Sequence, residues 1–131
     1  MQQVVIRNLS VSNAALFKAH YCDSFWSRLR GLTFRRTLPP HEGILLVQGR
    51  ESRMDASIHM LGVFMDLAVI WVNARQEVVD VQLARSWRPA YFPKTSAQYI
   101  LELDAVYIDA FKIGDRVEFA DERVASISKD I

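Results

Sequence analysis

The chain is poor in the features that would assign it to a class at once. Of its 131 residues one is cysteine, Cys22, so no intramolecular disulfide can form and nothing calls for an oxidising compartment. It has no uncharged apolar run near the roughly 18 residues that a membrane helix needs. The longest, LAVIWV, is the length of a strand. Its opening, MQQVVIRNLS, lacks the basic stretch followed by an apolar core that marks a secretory signal. Neither sign of charge is in excess: sixteen Lys and Arg against fifteen Asp and Glu leave a net charge of +1, too little for an overall field that would draw nucleic acid or a membrane surface. There is no repeat, no low-complexity tract and no Gly/Ser linker. The expectation is a soluble, cytoplasmic protein made of one domain over residues 1–131.

What is present is ordinary globular material. Apolar residues make up 50% of the chain and charged residues 24%, enough apolar surface to offset the entropy of ordering. The β-branched run Val4–Leu9 predicts a first strand and Ser10–Asn13 a turn, with a second strand over Ala14–Tyr21. In CDSFWSRLRGL, Asp23 or Ser24 can cap a short helix whose apolar face is Phe25, Trp26, Leu29 and Leu32, and Gly31 can end it. Pro39 and Pro40 mark a loop. Ile44–Val47 reads as a buried strand, and QGRESRMD as a return to loop. SIHM and Met65–Val72 read as strands. The second of these forms a hairpin with Glu77–Leu83, in which Val79, Val81 and Leu83 face one way and Val78, Asp80 and Gln82 the other. ARSWRPAYFPKTS is a long loop. Ala97–Leu103 is a strand, DAVYIDAF a second short helix capped by Asp104, and IGDRVEF a tight turn into a last strand. Many short strands with two short helices predict an α+β, mostly β fold, built on a small, strongly curved or barrel-like sheet.

The order of these motifs resembles a widespread prokaryotic family, domain of unknown function 192. Four stretches carry the resemblance, which runs from about Asn13 to Phe119. SFWSRLRGLTFR (Ser24–Arg35) is similar to the family's Arg-Gly-Leu element after a short helix. SIHMLGVFMDLAVIWVN (Ser57–Asn73) is similar to its central strand pair. YILEL (Tyr99–Leu103) and IGDRV (Ile113–Val117) are similar to its late strand and closing turn. The resemblance implies a compact, mostly β fold with a barrel-like sheet, and it implies no activity. This chain has HMLG where the family usually carries an aromatic-Met-Asn-Thr element, so any chemistry in that segment would differ here.

Residues 54–66, MDASIHMLGVFMD, hold three of the chain's four methionines and one of its three histidines. His59, Met60 and Met65, with Cys22 or Met54, are soft-metal ligand types. Alternation, however, sends neighbours on a strand to opposite faces, so Met60 and Met65 read as core filling and His59 stands alone. With no second histidine nearby and no CxxC, no metal or other cofactor is expected. His59 opposite Met60 is placed to line a pocket mouth, where imidazole suits proton transfer. Asp66 opens an apolar strand, where a carboxylate must find an arginine, a turn amide or the sheet end, or else orient a ligand. Six arginines (Arg28, Arg30, Arg35, Arg36, Arg50 and Arg53) fall in one third of the chain. Arg85, Arg88 and Lys94 share the long loop with Trp87, Tyr91 and Phe92. Arginines among aromatics suit an anion, a protein partner or single-stranded nucleic acid, and the balanced charge argues against the last.

The leading expectation is therefore a non-enzymatic domain that binds a small anionic ligand or short peptide. Its polar-rimmed cleft would be formed by Arg30, Arg35, His59, Asp66 and Arg88, with no residue assigned to catalysis. Two alternatives stand beside it. One is a hydrolase or transferase using His59 with Asp66 or Cys22. The other is an interaction module acting through the loop Trp87–Phe92.

Overall fold

A computed structural model of the chain describes residues 3–23, 37–88 and 90–121. Within them, β-branched and aromatic runs form seven strands: β1 (Gln3–Asn8), β2 (Phe17–Cys22), β3 (Glu42–Ser52), β4 (Leu67–Val72), β5 (Val78–Ala84), β6 (Ala97–Asp104) and β7 (Val117–Asp121). They make one mixed sheet in the order β5-β4-β6-β3-β2-β1-β7. Only β2 and β3 run parallel; every other pair is antiparallel.

The sheet is covered on both faces, which is why β4 is apolar throughout: all six of its residues are buried. On the first face Ala68, Ile70 and Val72 join Val4, Ile6, Phe17, Leu45, Leu101, Leu103 and Val117. Phe111 lies against them, held by the segment that follows β6. On the second face Leu67, Val69 and Trp71 pack with Cys22, Ile44, Leu46, Ile58, Met60, Val63 and Ile100. Here the loops between β3 and β4 and between β5 and β6 supply the cover: the Trp71 indole nitrogen donates to the carbonyl of Ala56, 2.7 Å away. Gly43 is required where β3 meets β6, because a Cβ there would collide with the carbonyl of Glu102.

The sheet does not close into a barrel. Its edge strands nevertheless meet at one corner, through a bridge between Glu77 and Arg116. Backbone bonds from Val78 to Asp115 (2.8 Å), Gly114 to Val78 (2.9 Å) and Val117 to Gln76 (2.9 Å) hold it. Seven strands about 4.8 Å apart could not bring their edges together if flat, so the sheet is strongly curled.

Several local expectations need correction. The helix expected in Asp104–Phe111 is a single 3-10 turn, Ala105–Tyr107, although Asp104 does cap it by accepting from the Val106 amide. Val106, within that turn, is exposed. The other expected helix lies outside the described residues, so the two-helix expectation is not upheld. β3 continues through Ser52, across residues read as loop, because backbone pairing resumes after a bulge at Ser52 and Ala97. SIHM is not a strand: only Ile58 is bridged, to Tyr91. A bulge at Trp71/Val72 sets Trp71 opposite Asp80 and Val72 opposite Val78. That turns Val79 toward the second face, away from Val81.

Candidate functional site

The loops covering the second face are joined to each other by two tight turns. In Met60–Val63 the Val63 amide donates to the Met60 carbonyl at 3.1 Å, and Gly62 takes the positive φ of 77° at the third position. In Arg85–Arg88 the Arg88 amide donates to the Arg85 carbonyl at 3.3 Å. There the third position is Trp87, at φ 65°. The turns lie back to back. Trp87 N–H donates to the Met60 carbonyl and Met60 N–H to the Arg88 carbonyl, both at 2.9 Å. Ser86 Oγ donates to the Val63 carbonyl at 2.6 Å.

Asp66 clamps this pair of turns. One carboxylate oxygen accepts the Ser86 amide at 2.8 Å, and the other pairs with the Arg85 guanidinium at 3.0 Å. The Ser86 N–H does most to hold the Asp66 pKa below the ordinary carboxylate value, partial burial opposes it, and Arg85 adds to it. Farther along, Ile58 and Tyr91 exchange two backbone bonds, and buried Asp80 accepts the Lys94 amide at 3.0 Å. The long loop is thus tied at its start, middle and end.

The expected site residues divide as follows. Arg30 and Arg35 lie outside the described residues. His59 is exposed, between buried Ile58 and buried Met60. Arg88 is exposed on the partner turn, its backbone bonded to Met60 and so next to His59. Asp66 takes the arginine and turn-amide partners that its position demanded. His59, Asp66 and Arg88 therefore share one pair of loops, and no hydrogen bond joins their side chains among the described residues. Cys22 is buried on the sheet beneath, its thiol 3.6 Å from the His20 carbonyl. Among the described residues no three His, Cys, Asp or Glu side chains are grouped to hold a metal ion.

The outer surface of the paired turns is apolar. Leu61 is 49%, Phe64 37% and Trp87 52% exposed, and the Phe64 and Trp87 rings meet edge to face at 5.4 Å. Of the three loop aromatics singled out from the sequence, Tyr91 packs back on the core. Phe92 is exposed, with Arg53 lying 5.8 Å over its ring. Leu61 and Phe64 escaped the sequence reading. Gly62 between them was the available signal, since a glycine-centred turn throws its neighbours outward.

Residues 7–119 match the family model described as Uncharacterized ACR. A UPF0127 protein of Pyrococcus furiosus is 33% identical over 114 residues, covering 86% of this chain and 95% of that protein. One from Thermococcus kodakarensis is 39% identical over 85 residues, 65% of this chain, and the chain spans only 52% of that relative's length. Among solved structures, a Sinorhizobium meliloti protein provisionally assigned as a transcription regulator superposes with a TM-score of 0.79 at 19% identity, covering 90% of this chain and 92% of that one. A Novosphingobium aromaticivorans protein of unknown function gives a TM-score of 0.76 at 20% identity, covering 88% and 83%. At these identities both likenesses show the fold alone. No helix among the described residues is long and apolar enough to cross a membrane.

Proposed function

The chain belongs to the family of domain of unknown function 192, a membership that brings no activity with it, and we propose that it is a binding module for a short acidic peptide segment. The apolar anchor of the peptide would sit on Leu61, Phe64 and Trp87. Its carboxylates would meet Arg88 and His59 at the rim. A role for Arg30 and Arg35 in extending that basic rim belongs to the same proposal.

One observation carries this reading. Trp87 stands in a left-handed backbone conformation that costs a bulky residue on the order of 1 kcal/mol or more, and half of its side chain is nonetheless exposed. Glycine or asparagine is the usual occupant of such a position. Bonds from Met60 and the Asp66 clamp on Ser86 hold the turn in place. Rigid aromatics beside arginine are the side chains that dominate binding surfaces, because they bury much area with little entropy to lose.

The test is a fluorescein-labelled peptide of Asp and Glu flanking a central Leu-Phe pair, followed by anisotropy and by NMR of the Trp87 indole and the Leu61 and Arg88 amides. Saturable binding with shifts confined to these residues is expected. Trp87→Gly should weaken it on the order of 30-fold. Its melting temperature should stay close to that of the parent, because glycine relieves the backbone cost while losing the contact with Phe64. Binding that survives Trp87→Gly, or shifts that map elsewhere, would refute the proposal. A response to inorganic phosphate alone at His59 and Arg88 would move the function from peptide to small anion.

A further inference from the structure

A second polar group lies on the same face of the sheet and makes no hydrogen bond to the paired turns. Glu102 sits in the middle of β6, with Ile44 of β3 on one side and Val69 of β4 on the other. It retains only 7% of its exposure, and its neighbours in the strand row are apolar. Burial pushes its carboxyl up to about 7, and no hydrogen bond or charge among the described residues offsets it. An ionised carboxylate so placed is normally paired. One position further along the same row, beyond Ile44, is His20 of β2. Its Nδ1 is buried and makes no hydrogen bond among the described residues. Two strand spacings put the backbones of His20 and Glu102 about 10 Å apart. Their side chains rise on the same side of the sheet over Ile44.

We propose that Glu102 and His20 form a binding site for a small organic ammonium group, seated above Ile44, with its N–H bonds donated to the Glu102 carboxylate and the His20 imidazole. An ammonium has three donors and no acceptor, whereas both protein groups can accept. A cation also removes the cost of an uncompensated buried carboxylate, which a neutral or anionic guest cannot do.

The charge on this face points the same way. By alternation Lys18 and Cys22 of β2, Glu42 of β3, Asp104 of β6 and Asp80 of β5 face the same side as Glu102, and β4 presents only Leu67, Val69 and Trp71. With Arg7 of β1 and Glu118 of β7 also on this side, four further acids stand against Lys18 and Arg7 among the described strand residues outside the bulged end of β3. From the covering loops Arg53 is engaged by the Pro93 carbonyl and Arg85 by Asp66. The site is separate from the Trp87 platform, and each stands or falls alone.

The experiment titrates the full chain with n-butylamine, n-butanol and butyrate, and follows the Glu102 side-chain carboxyl carbon and the His20 ring by NMR. Butylamine should give a saturable shift at both groups and a fall in the apparent pKa of Glu102 as its carboxylate gains a partner. Butanol and butyrate should give neither. Glu102→Gln, which keeps shape and removes charge, should weaken butylamine about ten-fold or more, the range of a charge-assisted hydrogen bond. The direct titration of the parent chain does not depend on that variant folding. A flat response of Glu102 and His20 to butylamine, or equal binding of butanol, would overturn the proposal. So would undiminished binding by a folded Glu102→Gln variant.

Discussion

At the scale of single residues, Glu102 has the clearest consequence for stability. Its folded pKa of about 7 stands above the ordinary 4.5. Between those values the folded chain keeps a proton that the unfolded chain has released, so stability falls as pH rises through that interval and levels off above it. The total is on the order of 3 kcal/mol by linkage. Glutamine in its place has no charge to bury. Glu102→Gln is therefore expected to be more stable than the parent above pH 7, and the two should converge as pH approaches 4.5. Urea unfolding midpoints across that range measure it, and parallel profiles for the two proteins would show that the carboxyl is not held neutral by the fold. Glu102 was open to reading in YILELD, where it alternates with Ile100 and Asp104. What the sequence could not show is that both flanking strands bring Ile44 and Val69, rather than a base, to its sides.

At the scale of elements, Asp66 matters through what it holds together. It lies 19 residues from Arg85 and 20 from Ser86, yet its two oxygens fix the start of the long loop against the end of the preceding one. Asp66→Asn keeps the size of the side chain and loses the charge on both bonds. Because the Asp66 side chain is 36% exposed and its partner Arg85 58% exposed, the cost to global stability should be small, about 1 kcal/mol. The local cost should be larger: amide exchange at Ser86 and Trp87 is expected to quicken well beyond that of β4, and peptide affinity at the Trp87 platform should fall. With its pKa lowered below 3.8, the contribution of Asp66 is present above that value and is lost as pH falls through the lower folded value. Unchanged exchange at Ser86 in the variant would mean that the turns stand without the clamp.

The same loops show what was legible. LAVIWV announced a strand buried on both faces, and Asp66 at its head announced a charge in need of an arginine or an amide. The identity of that partner depends on the path of a loop twenty residues away, which no local pattern encodes. SIHM alternates like a strand, but only Ile58 forms a β-bridge, to Tyr91, and the backbone of Met60 is taken by the paired turns. Conversely QGRES looks like loop by composition and is strand, since its pairing across from Ala97 uses backbone that polar side chains do not reveal.

At the scale of the whole molecule, the corner where the two sheet edges meet is held by a buried side chain far away in sequence. Asn8, 2% exposed at the end of β1, donates to the Ala110 carbonyl at 3.1 Å and to Asp115 at 2.8 Å, and accepts the Ser10 amide at 3.0 Å. The Asp115 carbonyl in turn accepts the Val78 amide of β5. Asn8 thus links β1, the segment carrying Phe111 and the contact between β5 and β7. Asn8→Ala removes the buried end of three part-buried bonds at these places and should cost about 1–3 kcal/mol. Because β4 is buried on both faces and belongs to both cores, the two faces should unfold together. Amide exchange through global opening should therefore accelerate by a similar factor at Val117 in the corner and at Val69 in the sheet centre. If Val117 alone accelerates, the corner opens as an independent unit and the sheet does not depend on its edges meeting. If both accelerate together, the curl of the sheet, the Phe111 plug and the cover over the second face are parts of one cooperative structure. The paired turns would then be held by the whole fold and not by their loops alone.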